Sequence, residues 1–381
     1  MTDRPSHGLT RGQRAGRLVF ALFDVPVVAV VGLGLLATRL PPGASWWVQL
    51  IAIGLPYATW VLAAATLLAL ALRWRSLVWV HLVLIGLVGL RLGLPARVAS
   101  PEVRAGDLRL TTFNLPQSGP SERALRDSAE VFVADIEPDL LVLQDTWVES
   151  LQAVQINAVH VAAITERLPY RLELPGTFDA VEGRNVDEIG VPLLVRRESG
   201  VEVLEQESLV PPGDADVSIA LRSRLRWDGR ELVLYNVHVR SFGPVKPWED
   251  PEFDWRRPST WGRYRTLYRS VYEKREREVE AIAARIEQET LPVVIAGDFN
   301  STVDNWTTRR LRQAGARRQD AFHVGNGLAW GRTYHAARPI VRIDYVFVDP
   351  ALEVTSARVV DVGFSDHRPV VTTLRWADDA P

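Results

Sequence analysis

The sequence contains no cysteine among its 381 residues. Disulfide frameworks, thiolate catalysis and metal sites with cysteine ligands are therefore excluded, so any bound metal must use oxygen and nitrogen ligands. The sequence also lacks internal repeats and low-complexity runs, and its 47% hydrophobic and 24% charged residues are typical of a packed chain. Disordered, collagen-like and coiled-coil classes are excluded as well.

Acidic residues are scarce in the first hundred positions. Residues 1–100 contain nine arginines and two aspartates, a formal charge of +7, whereas residues 101–381 contain 35 basic and 44 acidic side chains, a formal charge of −9. The two parts of the chain therefore differ in chemistry, and we analyse them separately.

Three long apolar segments occur in residues 1–98, at 18–38, 46–72 and 76–94. Each is close to the length of about 20 residues that a helix needs to cross the hydrocarbon core of a bilayer. We therefore predict a three-helix transmembrane region that contacts the lipid bilayer. Asp24 is the only acidic residue in these segments, and it is interpreted either as an interfacial or helix-paired carboxylate or as a functional group.

Basic residues predict the orientation of these helices. Arg11, Arg14 and Arg17 precede the first segment, and Arg73 and Arg75 separate the second from the third. Because cytoplasmic loops are rich in arginine and lysine, three crossings put the remaining chain outside the cytoplasm. We therefore predict a multi-pass protein of a bacterial-type cell membrane whose large domain is periplasmic or extracellular. If the third segment does not cross the membrane, this domain is cytoplasmic instead. A cleaved signal sequence is the alternative for the first segment, but two more apolar runs follow it.

The remaining chain is predicted to be a short tether, residues 99–106, followed by one α/β domain, residues 107–376. Segments rich in β-branched residues and bounded by Gly, Pro or Asp alternate there with helical patterns, which cover residues 146–166 and, most clearly, 263–289. This alternation favours helices that cover the faces of packed sheets.

Polar side chains stand at the ends of several predicted strands, where apolar alternation requires none. Taken alone, each of these polar residues could equally belong to a turn or a helix cap. Six motifs with such residues follow one another: TTFN at 111–114, PDLLVLQD at 138–145, YNVHV at 235–239, VIAGDFNS at 294–301, RIDYVFV at 342–348 and SDHRPV at 365–370. In this order they resemble the endonuclease/exonuclease/phosphatase superfamily, which includes DNase I-like nucleases and neutral sphingomyelinases.

The resemblance covers residues 107–376 and does not extend to the first hundred residues. It implies an α/β fold, a four-layer α/β/β/α sandwich of two packed β-sheets flanked by helices. It also implies hydrolysis of a phosphoester assisted by Mg²⁺ or Mn²⁺. Such a reaction requires oxygen ligands for the ion, a positioned water and donors to the phosphoryl oxygens.

The resemblance implies roles for individual residues. The catalytic positions match His238, Asp298, Asn300, Asp344 and His367. Among them, Asp298 would orient or deprotonate the attacking water, His238 would donate to a phosphoryl oxygen, and Asp344 would fix the tautomer of His367. The metal-binding positions match Asn114, Asp145 and Asp366, and the substrate side is expected to include Asn236, Arg332 and Tyr334.

One position departs from the family pattern. The family carries Gln-Glu where this chain has Gln144 and Asp145. The shorter side chain draws the carboxylate back by about 1.5 Å. Mg²⁺ tolerates little deviation from its ligand distances. An active enzyme and a degenerate site both remain open, and Glu149 is a conceivable substitute ligand.

The substrate is not determined by these motifs. A formal charge of −9 on residues 101–381 disfavours a long polyanion, because nucleic-acid affinity depends on neutralising phosphates. We therefore expect a membrane-anchored phosphodiesterase or phosphatase for lipid headgroups or small phosphoesters. The alternatives are an extracytoplasmic nuclease and a non-catalytic binding module, and no protein partner is inferred. The aromatic and charged insertion at residues 248–257 is interpreted as a lid, a lipid-facing loop or an ordered surface loop.

Overall fold

A computed structural model of the chain describes residues 10–92, 104–115, 122–146, 148–149, 159–173, 188–210, 219–242, 246–247, 250–326 and 331–378. Within these ranges the N-terminal region is helical. Its elements are α1 (Arg11–Leu36), a 3₁₀ turn (Ala37–Arg39), α2 (Pro42–Ile53), α3 (Leu55–Ala71) and α4 (Arg75–Leu92).

The rest of the described chain alternates strands with helices. The strands are β1 (Leu108–Asn114), β2 (Leu140–Gln144), β3 (Val148–Glu149), β4 (Tyr170–Glu173), β5 (Glu188–Ile189), β6 (Leu193–Arg196), β7 (Glu202–Leu209), β8 (Ala220–Trp227), β9 (Arg230–His238), β10 (Val293–Asp298), β11 (Gln319–Asp320), β12 (Asp344–Val348), β13 (Leu352–Val359) and β14 (Val370–Trp376). The helices are α5 (Glu122–Ile136), α6 (Val159–Arg167), α7 (Pro258–Ile286), α8 (Trp306–Gln313) and α9 (Ala321–Asn326).

These strands form two six-stranded mixed sheets. The first has the order β13-β14-β1-β2-β6-β4 and the second the order β11-β12-β10-β9-β8-β7. The pairs β1/β2 and β9/β10 are parallel, and the other neighbouring strands of the two sheets are antiparallel. Strands β3 and β5 form a separate antiparallel pair.

The two sheets pack face to face because successive side chains of a strand point to opposite faces. Inward-facing residues such as Leu110 on β1 and Val294 on β10 form one core between the sheets. Outward-facing residues pack against helices: Phe113 of β1 against α5 and α6, and Ile295 of β10 against α7 and α8. The architecture is thus helices, sheet, sheet, helices, which confirms the predicted sandwich of two packed sheets flanked by helices.

Helical periodicity predicted one helix well and another poorly. Helix α7 covers most of the predicted range 263–289, and its apolar stripe is buried against the second sheet. The predicted helix at 146–166 is wrong at its start, because Val148–Glu149 is a strand paired with β5 and the observed helix α6 begins at Val159. Pairing with a distant segment overrides local periodicity there.

The prediction of three membrane-spanning helices is not supported as it stands. The segment Arg11–Arg39 is long and apolar enough to cross a membrane, although a signal sequence has the same properties. The second predicted span is bent by 57° where α2 meets α3, so the described residues hold one candidate span, or two if this bent pair counts as one. Pro56, which cannot continue the hydrogen bonds of a preceding helix, follows Gly54 at this break. The third predicted span extends to residues 93–94, which lie outside the described ranges.

Asp24 pairs with a histidine of another helix. Its Oδ2 lies 3.1 Å from Nε2 of His81, and both side chains are buried between α1 and α4. Buried polar groups need partners of this kind. The structure therefore agrees with the interpretation of Asp24 as a helix-paired carboxylate.

Helix α2 connects the N-terminal helices to the sandwich. The buried side chain of Gln49 accepts hydrogen bonds from the backbone N–H of Trp306 (3.1 Å) and from Nδ2 of Asn305 (3.2 Å). At the start of α2, the N–H of Gly43 donates to Glu276 of α7 over 2.7 Å. The first half of the predicted second span is therefore a docking helix, and Gly43 and Gln49 bond it to the sandwich.

Candidate active site

Strand register brings the predicted polar residues to one rim of the sandwich. The carboxyl ends of parallel strands lie at the same edge of a sheet, and Asn114 stands opposite Gln144 at the ends of β1 and β2. In the second sheet His238 stands opposite Asp298 at the ends of β9 and β10. Strand β12 runs antiparallel to β10 and begins with Asp344 opposite Asp298. The motifs therefore converge because of topology, although far apart in sequence.

Three of these residues form a compact buried cluster. The ligand atoms of Asp298, Asp344 and His367 lie within 4.8 Å of one another. His367 Nδ1 lies 3.1 and 3.0 Å from the two carboxylate oxygens of Asp344, and its Nε2 lies 3.8 Å from Oδ2 of Asp298. Since Nδ1 donates to Asp344, the imidazole is held with Nε2 turned toward Asp298.

The charges in this cluster depend on burial and on the neighbouring groups. Burial by itself would lower the pKa of His367, but the carboxylates of Asp344 and Asp298 outweigh it and raise this pKa to about 10. Burial, together with the nearby Asp344 carboxylate, raises the pKa of Asp298. The imidazole of His367 is therefore a cation at neutral pH and a donor directed at the rim.

Neighbouring groups hold the carboxylate of Asp298 in place. Its Oδ1 accepts a hydrogen bond from the backbone N–H of Asn300 (2.7 Å), and its Oδ2 accepts from Nδ2 of Asn114 (3.0 Å) and of Asn300 (3.2 Å). His238 Nε2 lies 3.8 Å from the same Oδ2. Four predicted site residues therefore contact or adjoin one carboxylate, which fixes its orientation.

The residue before Asp298 must be glycine. Gly297 has a φ of +145°, and a Cβ built on it would lie 1.9 Å from the carbonyl oxygen of Val237 on the neighbouring strand. Asn300 also has a positive φ, 45°, which asparagine tolerates better than most residues. The glycine of the GDFN motif thus allows the close backbone approach that aligns Asp298 with His238.

Only some of the residues predicted to bind metal lie close to one another. Asn114 donates to Asp298, and Asp145 follows Gln144 at the same rim with a positive φ of 56°. Asp366 is exposed, and its carbonyl oxygen accepts from the N–H of Ala336 over 2.7 Å. Neither Asp145 nor Asp366 belongs to the three-residue cluster of the described chain.

The donor set at this rim matches a hard divalent cation. The amide oxygen of Asn114 and the carboxylates of Asp145 and Asp298 are the ligand types that Mg²⁺ and Mn²⁺ prefer, and the chain has no thiolate. These residues could therefore hold such an ion.

Tyr334 lies beside the cluster, as predicted for the substrate side. Its ring centroid is 4.9 Å from that of His367, and its hydroxyl accepts a hydrogen bond from Nζ of Lys246 (2.9 Å). Lys246 was not predicted from sequence, because nothing in the surrounding loop indicates where its amine points.

Asn236 is buried away from the rim surface. Its Nδ2 lies within 3.1 Å of the carbonyl oxygens of Leu143, Val191 and Pro192, and its Oδ1 accepts from Gln144 Nε2 over 2.7 Å. The structure places this side chain between the two sheets, where it bonds the ends of β2 and β9 together. Asn236 was predicted to lie on the substrate side, and in the structure its side chain links the two sheets.

Arg332 lies on the side of its loop that faces the N-terminal helices. Its Nη1 is 3.4 Å from the carbonyl oxygen of Pro339, and its guanidinium lies 5.6 Å from the ring of Tyr57. The structure therefore separates it from the three-residue cluster, and its predicted role at the substrate side stays a prediction.

Three residues that support the site were not identified from sequence. Arg275 is fully buried on α7 and donates to the carbonyl oxygens of Arg240 (2.9 Å) and Asn300 (3.1 Å). Thr333 accepts from the N–H of Asp344, and Ser365 donates to the carbonyl oxygen of Asn114. Arg275 occurs in a helix rich in charged residues, so only the fold reveals that it is buried.

The insertion at residues 248–257 is described from Asp250 onward, and residues 248–249 lie outside the described ranges. Phe253 packs edge-on against Trp261 at 5.1 Å and against Tyr264 at 5.2 Å. Trp255 is 67% exposed. Phe253 thus packs this segment against aromatic residues of α7, and Trp255 presents an exposed indole.

Comparisons with known proteins agree with this fold. A sequence profile of the Endonuclease/Exonuclease/phosphatase family matches residues 112–367, which is more than half of the chain. Among solved structures, the chain is similar to the endonuclease/exonuclease/phosphatase from Bacteroides vulgatus, with 21% identity, a TM-score of 0.49 and coverage of 71% of this chain and 99% of that chain.

Two further structures are similar at lower identity. The human Nocturnin catalytic domain with bound sulfate is 17% identical, with a TM-score of 0.48 and coverage of 72% of this chain and 96% of that chain. A mannosyl-6-phosphatase of Bacteroides thetaiotaomicron is 18% identical, with a TM-score of 0.45 and coverage of 71% and 100%. A search of curated proteins gave no match. On the family profile that spans its sandwich, the chain belongs to the endonuclease/exonuclease/phosphatase family.

Proposed function

We propose that this protein is a divalent-metal-dependent phosphoester hydrolase, either a phosphodiesterase or a phosphatase. Its catalytic residues are His238, Asp298, Asn300, Asp344 and His367. The observation that carries the proposal is the buried cluster of Asp298, Asp344 and His367 within 4.8 Å at the rim where the family's motifs meet. Enzymes of this family hydrolyse phosphoesters, and they use divalent metal ions.

Asp298 is the group that takes the proton of the attacking water. Hydrogen bonds from Asn114 and Asn300 hold its carboxylate in one orientation, as a general base requires. Asn300 Nδ2 also donates to the carbonyl oxygen of Val239 (2.9 Å), and this hydrogen bond restrains the side chain of Asn300. The carboxylate is therefore positioned before substrate binds.

His238 and His367 donate to the phosphoryl oxygens as negative charge develops on them. Each has its Nε2 3.8 Å from Oδ2 of Asp298, so the two imidazoles approach the same carboxylate. Asp344 holds the Nδ1 proton of His367, which directs Nε2 toward the substrate. Donors fixed in a buried site stabilise developing charge more than mobile water does.

Asn114 and Asp145 would hold the divalent ion, together with the less enclosed Asp366. When bound, this ion acts as a Lewis acid on a phosphoryl oxygen. The backbone of Asp145, directly after β2, has a positive φ. The amide of Asn114 links this side of the rim to Asp298.

Turnover of bis-p-nitrophenyl phosphate tests the proposal. The full-length chain with Mg²⁺ or Mn²⁺ is expected to hydrolyse it, and chelation of the metal is expected to abolish activity. Asp298→Asn should be inactive, whereas Asp228→Asn, in the exposed turn at the opposite end of β9, should be fully active. A chain that is inactive with every divalent metal would leave the binding-module alternative, whereas an active Asp298→Asn variant would remove Asp298 from the mechanism.

The substrate that we propose is a lipid headgroup or another small phosphoester. The formal charge of −9 on residues 101–381 supports this choice over a long nucleic acid, which binds through arginine and lysine contacts to phosphates. Phospholipid hydrolysis and plasmid nicking by the same preparation distinguish the two. Strong nicking at physiological salt would favour the nuclease instead.

We further propose that the N-terminal helices hold the protein at a membrane. Large aromatic side chains on these helices are exposed, which supports the proposal: Phe23 on α1 (72%), Trp60 on α3 (69%) and Trp79 on α4 (68%). Contact of such large apolar surfaces with water is unfavourable. An odd number of crossings, with the arginine-rich N-terminus inside, puts the catalytic domain outside the cytoplasm. Alkaline phosphatase fused after residue 100 should then be active. If that fusion is inactive and a green fluorescent protein fused at the same position is fluorescent, the catalytic domain is in the cytoplasm and the orientation is the reverse.

A further inference from the structure

A cavity of about 640 Å³ lies between the N-terminal helices and the sandwich. The turn after α1, the junction of α2 with α3, and the end of α4 form one side of it, and residues of α8 and the start of β12 form the other. Asp298, Asp344 and His367 do not line it. The cavity is therefore separate from the catalytic cluster.

The lining of this cavity carries an excess of positive charge. It includes seven arginines and two aspartates, a formal charge of +5 with histidine neutral. Arg342 is paired with Asp320, and Arg91 Nη1 lies 3.7 Å from Asp304. Four other lining arginines form no ion pair with a carboxylate in the described parts of the chain: Arg39, Arg309, Arg312 and Arg317.

Two of these arginines are held in place by neutral groups. Arg309 Nε donates to the side chain of Gln313 over 3.1 Å, and Arg312 Nε donates to the carbonyl oxygen of Arg318 over 2.9 Å. Burial lowers the pKa of Arg312; the Asp320 carboxylate opposes this shift, and the nearby Arg317 and Arg342 add like-charge repulsion. A bound anion would relieve this repulsion, because partly buried charges of one sign interact strongly at low dielectric.

A carboxylate in the same lining is buried without a hydrogen-bond partner. Asp304 is 0% exposed, and neither of its oxygens has a hydrogen bond within the described ranges. Buried polar atoms without partners are uncommon and indicate a missing ligand or water. A ligand hydroxyl would supply the donor that Asp304 lacks.

Part of the cavity wall is apolar. Ile53, Pro56 and Leu90 come from the N-terminal helices, and Ile340, which is 56% exposed, comes from the loop before β12. An inorganic anion would leave this wall in contact with water. A ligand that has both an anionic group and an alkyl chain would cover the arginines and the apolar wall together.

We propose that this cavity binds the phosphate ester of an anionic lipid, with the phosphate on Arg309 and Arg312 and an alkyl chain against α3 and α4. A headgroup hydroxyl donates to Asp304. The site is distinct from the catalytic rim and does not depend on the proposed hydrolase activity. Its occupation ties the N-terminal helices to the sandwich, because both contribute to its walls.

Titration calorimetry of the full-length chain in a neutral detergent, without divalent metal, tests this proposal. The probes are short-chain phosphatidylglycerol, short-chain phosphatidylcholine and glycerol phosphate. The anionic lipid is expected to bind about tenfold more tightly than the other two, because charge-assisted hydrogen bonds to arginine and contact with the apolar wall add to each other. Equal affinity for phosphatidylcholine would overturn the charge assignment, and equal affinity for glycerol phosphate would overturn the lipid assignment.

Variants locate the binding site. Arg309→Gln combined with Arg312→Gln is expected to weaken phosphatidylglycerol binding at least about tenfold, the cost of losing charged hydrogen bonds. Arg358→Gln, an exposed arginine on β13 of the other sheet, is the matched control and should bind as the natural chain does. Asp298→Asn should also bind normally, since that residue lies outside the cavity.

Thermal unfolding shows whether the double variant is folded. If the double variant does not fold, Arg317→Gln is measured instead, because this exposed side chain contributes charge without packing. The affinity for phosphatidylglycerol should then fall about threefold. Unchanged binding in a folded arginine variant, or loss of binding in Asp298→Asn, would show that the lipid binds elsewhere.

Discussion

The rim of the sandwich and the cavity beneath the N-terminal helices hold charged side chains in contrasting ways. At the rim, His367 is paired with Asp344, and Asp298 accepts hydrogen bonds from two asparagines. In the cavity, several arginines have no carboxylate partner in the described chain, and Asp304 has no hydrogen bond there. The rim is thus a network positioned by the protein itself, whereas the cavity is a set of groups that a ligand would complete.

The largest expected effect comes from breaking the paired network at the rim. His367→Gln should lower turnover of bis-p-nitrophenyl phosphate by about a hundred- to ten-thousandfold, the usual contribution of a positioned acid–base group. Steady-state kinetics measure the loss. His335→Gln, at an exposed histidine two residues from Thr333, is the control and should keep full activity. Similar losses in both variants would remove His367 from the mechanism.

The second prediction concerns the buried carboxylate of Asp304 in the cavity. Burial raises the pKa of Asp304 from its ordinary 3.8 to about 6. The folded state therefore loses stability as pH rises from about 4 through about 6, because the carboxyl group ionises more readily in the unfolded chain. Asp304→Asn should raise the free energy of unfolding by up to about 3 kcal/mol at pH 8.

Thermal unfolding at several pH values measures this gain, which should disappear below about pH 4, where the carboxyl is protonated in both states. Asp361→Asn, at an exposed aspartate, provides the control and should show no such pH dependence. A gain that is the same at every pH would mean that ionisation of Asp304 does not destabilise the fold.

The third prediction concerns Gln49, the contact between the two regions. Gln49→Ala leaves the N–H of Trp306 without its acceptor, although Asn305 Nδ2 still donates to the backbone carbonyl of residue 49. It also removes the Nε2 donor to the carbonyl oxygens of Ala37 and Leu40. Stability should fall by about 2 kcal/mol, the cost of an unsatisfied buried polar group. Denaturant unfolding measures this loss, and the exposed Gln288→Ala should be neutral. If Gln49→Ala is neutral too, the N-terminal helices are not docked through α2.

The smallest effect is expected at the departure from the family pattern. Asp145→Glu restores the longer carboxylate, so Mg²⁺-dependent turnover should stay unchanged or rise by about a few fold, within the tolerance of a metal ligand. The Mg²⁺ dependence of the rate measures this change, with Glu149→Gln as the control that should behave as the natural chain does. A loss of activity in Asp145→Glu would contradict the expectation that the longer carboxylate fits this site, and a loss in Glu149→Gln would favour the substitute ligand.

Local pattern predicted packed sheets covered by helices and polar residues at strand ends, and the resemblance carried by the order of the motifs implied the four-layer sandwich and its site. A strand that ends in Asn114 or Asp298 places that residue at an edge, and parallel pairing aligns it with its neighbour on the adjacent strand. Sequence could not show that Asn236 faces the space between the sheets, because its direction depends on contact with Gln144 of the other sheet. Nor could it show that Arg332 turns toward Tyr57, a contact between positions far apart in the chain.

The sequence by itself determined the apolar character of the first hundred residues, the absence of thiol chemistry and the identity of the residues at the rim. These properties follow from composition and from side chains adjacent in the chain. Only the tertiary structure decided that α2 is a docking helix bent away from α3, that Arg275 is buried under the site, and that arginines from separate segments surround one cavity. Hydropathy measures how apolar a segment is, whereas packing determines which surface that segment covers.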